Sequence, residues 1–83
     1  MKENFIEKLH ENGMLNLLLV SLISSDNLID IDSCEKSLNE MNKFIEKTKE
    51  ANIPDKEKYL DMMYKGVEII ERDLNIFKNE NKQ

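Results

Sequence analysis

The apolar positions in the last third of the chain follow the repeat of a long α-helix. The first row advances by alternating steps of three and four residues and consists of Leu60, Met63, Val67, Ile70, Leu74 and Phe77. A second row beside it consists of Tyr59, Met62, Ile69 and Ile76. This spacing places one broad apolar stripe along a helix, and a stripe of this width can contact two neighbours. We therefore predict a buried helix over residues 55–79.

Apolar residues also recur at helical spacing between positions 14 and 23. The main row consists of Leu15, Leu18, Leu19, Leu22 and Ile23, and Met14, Leu17 and Val20 occupy much of the other side. A helix that is apolar nearly all round is typical of the centre of a bundle. We therefore predict that residues 14–23 form a helix at the centre of the bundle.

A first helix is predicted to begin near Lys2, with Phe5, Ile6 and Leu9 on one face. It is followed by Asn12-Gly13, and glycine commonly supplies the left-handed residue that ends a helix. The pattern leaves open whether the helix stops or continues through this position.

Residues 24–32 are predicted to form a loop before a third helix over residues 33–51. Asp32 or Ser33 is expected to cap this helix, because Glu35 follows Asp32 at capping-box spacing. Its narrower apolar row consists of Cys34, Leu38, Met41, Ile45 and Thr48. Pro54 then ends the helix, since the residue before a proline is driven out of the helical region.

These elements predict an all-α fold with a single domain over residues 1–83. The short connection at Pro54 favours a small antiparallel three-helix bundle, or four helices if the first breaks at Gly13. One core of this size supplies only about 3–5 kcal/mol, and the lone Cys34 can form no intramolecular disulfide. Dimerisation through the broad stripe of the last helix is therefore a further expectation.

The charge balance narrows the choice of partner. The net charge is −5, with 17 acidic against 12 basic residues, and Arg72 is the single arginine. Arginine is preferred for phosphate recognition, so we expect no direct nucleic-acid binding and a basic protein surface as the partner.

The apolar run of residues 14–23 is shorter than the roughly 20 residues that span a membrane. An unpaired cysteine fits a reducing compartment, so we expect a cytoplasmic protein.

The candidate partner-binding residues are carboxylates and two apolar neighbours: Glu3, Glu7, Glu11, Asp26, Leu28, Ile29, Asp30 and Asp32. The three glutamates repel one another at i,i+4 spacing, which the helix dipole offsets only in part. A basic partner would compensate for the remaining repulsion between the glutamates. Leu28, Ile29 and Ile31 could form an apolar anchor within this charge. The favoured interpretation is that they fold back and close the end of the bundle.

One motif has the spacing of a metal site. Glu7 and His10 form a Glu-x-x-His pattern like that of carboxylate-bridged di-metal bundles. Because the chain has one histidine, a second copy of the pattern would have to come from a symmetric partner. We expect surface residues here instead, and neither a metal nor another cofactor.

Catalysis is not expected either, because a nucleophile needs an oriented base and an oxyanion site. The favoured function is a non-enzymatic regulator or inhibitor that binds a basic surface, acting as a nucleic-acid mimic if that surface normally binds DNA. The alternatives are a structural homo-oligomer or assembly subunit, and a symmetric di-metal bundle that uses Glu7 and His10. In general style, the chain resembles the short acidic helical antirepressors and immunity-type proteins of bacteria and their phages, without a motif that defines a family.

Overall fold

The computed structural model describes residues 4–80, and within this range the chain forms α-helices and no strand. The four helices are α1 (Phe5–Glu11), α2 (Leu15–Leu22), α3 (Ile31–Glu50) and α4 (Lys56–Glu80). The all-α prediction is confirmed. Lys2, near which the first helix is predicted to begin, Glu3, and residues 81–83 lie outside the described residues.

Gly13 separates α1 from α2. Its φ is 72°, in the left-handed region that glycine adopts without steric cost. The N–H of Gly13 donates to the carbonyl of His10 at 3.1 Å, and the N–H of Met14 donates to that of Leu9 at 2.9 Å. This pair of bonds is the Schellman arrangement that ends a helix. The first predicted segment therefore consists of two helices.

Helix α1 begins at Phe5, and Asn4 is its N-cap. The Asn4 Oδ1 accepts a hydrogen bond from the N–H of Ile6 at 2.8 Å. The Asn-x-x-Glu spacing of Asn4 and Glu7 is that of a capping box, so this start was readable from the sequence.

Helix α3 begins two residues earlier than predicted, and the expected cap at Asp32 or Ser33 is wrong. Asp30 is the N-cap: its Oδ1 accepts from the N–H of Ser33 at 2.8 Å, and the Ser33 Oγ accepts from the N–H of Asp30 at 3.0 Å. This earlier start is favoured because Leu28 is buried and Ile31, the first helical residue, packs against the core.

Helix α3 and the end of α2 both come close to α4 at Gly66. A Cβ atom added there would lie 2.6 Å from Met41 Cε and 3.4 Å from Ile23 Cγ2. Glycine inside a helix costs about 1 kcal/mol relative to alanine. Its use here allows both α3 and the end of α2 to contact α4, so the broad stripe of α4 has two neighbours within the chain.

The core combines side chains from all four helices and from both longer connections. Thr48 and Met63 lie fully buried between α3 and α4, where the Thr48 Oγ1 donates to the Met63 Sδ at 3.4 Å. This contact satisfies the buried hydroxyl. The apolar core consists of Ile6, Leu15, Leu19, Leu28, Cys34, Met41, Phe44, Ile45, Ala51, Ile53, Met63, Ile70 and Leu74.

Helix α2 does not lie at the centre of the fold as predicted. Its Leu15 and Leu19 are buried, but Leu17 is 64% exposed, Val20 is 58% exposed and Met14 is 42% exposed. The reason is that this two-turn helix packs on the rest of the chain along one side only. Its opposite side is apolar and open to solvent.

We predict that the contact of Met41 with Gly66 is measurable as a coupling free energy. Gly66→Ala should gain helix propensity but displace the Met41 methyl group, whereas Met41→Leu removes that methyl group at little cost in volume. Gly66→Ala should therefore be more favourable by about 1 kcal/mol in the Met41→Leu background than in the wild type. Urea unfolding of the four proteins measures this difference.

Lys65→Ala, on the exposed side of α4, is the matched control and should have the same effect in both backgrounds. Equal effects of Gly66→Ala in the two backgrounds, within about 0.5 kcal/mol, would contradict the close contact.

Candidate functional site

The connection from α2 to α3, together with the first turn of α3, presents an exposed apolar residue among carboxylates. We call this surface the acidic loop and define it by Asp26, Ile29, Asp30, Asp32 and Glu35. All five residues are exposed, and Ile29 is 64% exposed. All except Asp26 border one shallow surface groove, which Ser33, Lys36 and Asn39 also line. An apolar side chain beside three carboxylates and one lysine has a net negative rim, which suits a partner with a basic surface.

Hydrogen bonds hold the acidic loop in one conformation. The Ser33 Oγ accepts from the N–H of Ile29 at 2.9 Å and from the N–H of Asp30 at 3.0 Å. The Asn27 Nδ2 donates to the Ser21 carbonyl at the end of α2, at 2.5 Å. The loop is thus tied to both helices that flank it, and the backbone of Ile29 is fixed.

Leu28 and Ile29 have opposite surroundings. Leu28 fits the interpretation in which the apolar residues fold back into the bundle, and Ile29 fits the one in which they contact a partner. Leu28 is 5% exposed and belongs to the core. A contact between Leu28 and a partner would require it to leave that core. Ile29 projects into solvent and is the available apolar contact of the pair.

Glu7 takes part in the packing of the chain. Its Oε2 accepts from the N–H of Asn52 at 2.6 Å, and its Oε1 accepts from the N–H of Asn4 at 3.4 Å. The Asn4 Nδ2 in turn donates to the Lys47 carbonyl at 2.9 Å. Asn4 and Glu7 therefore fasten α1 to the end of α3 and to the connection that follows it. The local sequence pattern does not reveal these contacts, because their partners lie 43 and 45 residues away.

The predicted acidic residues do not form one surface. Glu7 contacts Asn52, just after α3, whereas Asp30 lies just before α3. The 20 residues of α3 span about 30 Å. Glu7 and the acidic loop are therefore at opposite ends of this helix. Glu11 is exposed at the end of α1.

His10 contacts an aromatic ring of α4. Its imidazole meets Tyr59 edge to face, with 5.7 Å between the ring centroids. Within residues 4–80, no three histidine, cysteine, aspartate or glutamate side chains are grouped in a way that could hold a metal ion. The observed partners of Glu7 and His10 are thus other parts of the same chain.

Cys34, in the first turn of α3, is completely buried. Burial raises the pKa of its thiol, and the negative charges of Asp73 and Asp30 raise it further. Nucleophilic cysteines require a stabilised thiolate. Cys34 has the opposite surroundings and serves as a small apolar residue of the core.

Comparison of the chain with protein-family models, with curated proteins and with solved structures finds no match. In the part of the chain that the structure describes, no helix combines the length and the apolar character needed to cross a membrane.

We predict that Glu7 contributes to stability and that Glu11 does not. Glu7→Ala removes half of a capping box and the acceptor of the Asn52 N–H, so it should lower the free energy of unfolding by about 1–2 kcal/mol. Glu11→Ala is the matched control, because it removes the same charge from an exposed position of α1. It should change stability by less than about 0.5 kcal/mol. Chemical denaturation of both variants makes the comparison, and equal losses would show that Glu7 has no special structural role.

We predict a pH dependence of stability that originates from Cys34. The ordinary thiol pKa is 9.0, and the folded value is higher, so above about pH 9 the unfolded chain ionises while the folded chain stays protonated. The stability that this thiol contributes is therefore complete below that pH and is lost as the pH rises. The difference in unfolding free energy between wild type and Cys34→Ala should therefore become smaller as the pH rises above about 9. A constant difference across this range would contradict the assignment.

Proposed function

We propose that this chain is a non-enzymatic protein-binding module whose acidic loop contacts a basic surface of a partner protein. The observation that carries the proposal is the exposed Ile29 with Asp30, Asp32 and Glu35 around it. An apolar anchor within a charged rim is the usual composition of an interface centre and its surroundings. Because hydrogen bonds already fix the backbone at Ile29, binding would not have to order this segment.

The charge of the chain supports the same partner chemistry. A net charge of −5 attracts a basic surface over several ångströms, and salt screens that attraction. The binding residues in this proposal are those of the acidic loop. Leu28 is omitted because it is buried, and Glu7 because the chain itself uses its carboxylate.

We also propose that the helices form an antiparallel bundle. The support comes from the order of the contacts between α3 and α4. Met41 meets Gly66, and Thr48, further along α3, meets Met63, which is earlier in α4. This order is that of helices running in opposite directions, as expected for a short connection.

In this proposal the module is a regulator or inhibitor in the cytoplasm, where an unpaired cysteine such as Cys34 stays reduced. If the partner surface normally binds DNA, the acidic loop occupies that surface in place of the phosphates. Duplex DNA should then compete with the chain for the partner. It should not compete if the partner's basic surface does not bind DNA.

We predict that neutralising the acidic loop abolishes partner capture. The test variant combines Asp26→Asn, Asp32→Asn and Glu35→Gln, and leaves Asp30 in place because it caps α3. The immobilised wild type should capture one basic protein from cell lysate in a salt-sensitive manner, identified by mass spectrometry. The test variant should lose this protein, because both the steering charge and the charged rim are removed.

The matched control combines Glu57→Gln, Glu68→Gln and Glu71→Gln, three exposed positions of α4. It changes the net charge by the same amount and should retain the partner. A third variant, Ile29→Ser, tests the apolar anchor and should also weaken capture. Equal loss in the control would show that only net charge matters. If no basic protein is captured by the wild type, the proposal fails.

A further inference from the structure

Asn12 is the one asparagine of the chain that is followed by a glycine. In this pair the asparagine side chain reacts readily with the next backbone nitrogen, because glycine has no Cβ atom to shield that nitrogen. Asn12 and Gly13 are both exposed. Among the described residues, none apart from the two chain neighbours lies within 4 Å of the point where a Cβ atom of Gly13 would be. Water and base therefore reach the atoms that would react.

We propose that Asn12 is a site of spontaneous deamidation. The backbone nitrogen of Gly13 attacks the Cγ atom of Asn12, the Cγ–Nδ2 bond breaks, and the proton of that backbone nitrogen leaves with the amino group as ammonia. Water then adds to one of the two carbonyl carbons of the cyclic imide and breaks its bond to the Gly13 nitrogen. Cleavage at Cγ gives aspartate. Cleavage at the backbone carbon gives isoaspartate, in which the chain continues through the side chain. In total, one water is consumed and one ammonia is released.

The folded conformation keeps the reacting atoms apart. The cyclic imide closes only when the Gly13 nitrogen lies on the same side of the Asn12 Cα–C bond as Cβ. The ψ angle of Asn12 is 0°, which eclipses the Gly13 nitrogen with the Asn12 backbone nitrogen instead. The N–H of Gly13 is also engaged, since it donates to the His10 carbonyl at 3.1 Å. Deamidation therefore requires that the end of α1 opens.

The contacts that hold α1 control this opening. The helix has seven residues, too few to be stable alone. It is fastened by the hydrogen bonds of Asn4 with Lys47 and of Glu7 with Asn52. When a segment opens and closes faster than it reacts, the observed rate is the open fraction multiplied by the rate in the unfolded chain. Weakening a contact of α1 should therefore speed deamidation in proportion.

The products of deamidation destabilise the end of α1. Both products place a carboxylate at the C-terminus of the helix, where the helix dipole is already negative. Isoaspartate also adds a methylene group to the backbone before Gly13. The two bonds that end the helix, from Gly13 to His10 and from Met14 to Leu9, then no longer fit the observed geometry. Isoaspartate should therefore lower stability more than aspartate does.

The test is incubation of the full chain at mildly alkaline pH, with tandem mass spectrometry to locate each change. In the wild type, Asn12 should gain the mass difference between a hydroxyl and an amino group, and chromatography should resolve aspartate and isoaspartate. The change should be slower in the folded chain than in the chain unfolded in urea. Asn12→Gln should show no change at this position, because its longer side chain would have to form a larger and less favourable ring.

Glu7→Ala tests the control exerted by α1. It should speed deamidation of the folded chain about 5- to 30-fold, the factor that corresponds to about 1–2 kcal/mol, and leave the rate in urea unchanged. The matched control Glu71→Ala removes the same charge from an exposed position of α4 and should change neither rate. Circular dichroism verifies that both variants keep their helical content.

Four outcomes overturn the proposal. The first is an Asn12 that stays unchanged in the folded wild type after the sample in urea has been converted. The second is conversion of another asparagine before Asn12. The third is an equal rate in the folded and the unfolded chain, and the fourth is a folded Glu7→Ala that reacts no faster than the wild type.

Discussion

The packing of α3 against α4 is the interaction on which the rest of the fold depends. Isolated helices shorter than about 12–15 residues are marginal in water, and α1 and α2 have only 7 and 8 residues. Both need a surface to pack on, and the longer helices α3 and α4 provide it. Gly66 brings these two helices together and leaves room for Ile23 at the end of α2. A Cβ atom at this position would have to displace the Met41 methyl group, the flexible end of that side chain.

The two ends of α3 have different roles because their polar residues have different partners. After the end of α3, Asn52 donates to the Glu7 carboxylate, and the charge of Glu7 is used to attach α1. At the beginning of α3, Asp30 and Ser33 hydrogen-bond to each other's backbone N–H groups. The neighbouring carboxylates take no part in these hydrogen bonds and are exposed. Residues of the same chemical type thus hold the chain together at one end and are available to a partner at the other.

The apolar repeat predicts the helices well because burial of one face imposes it. The last helix was expected over residues 55–79 and is observed at Lys56–Glu80. The repeat does not show how many neighbours a helix has, which is why α2 was wrongly placed at the centre. Caps are ambiguous for a different reason: Asp30 and Asp32 both have a suitable acceptor three residues later, and the packing of Leu28 and Ile31 into the core favours Asp30. The role of Glu7 depends on a contact with Asn52, 45 residues away, which no local pattern contains.

The central claim is that α3 and α4 meet at Gly66, with the end of α2 at the same point. A nuclear Overhauser spectrum of the protein with labelled methyl groups measures this directly. The structure predicts cross-peaks from the Met41 ε-methyl group and the Ile23 γ2-methyl group to the α-protons of Gly66. The absence of both cross-peaks, or contacts of the Met41 methyl group with a different part of α4, would contradict the account.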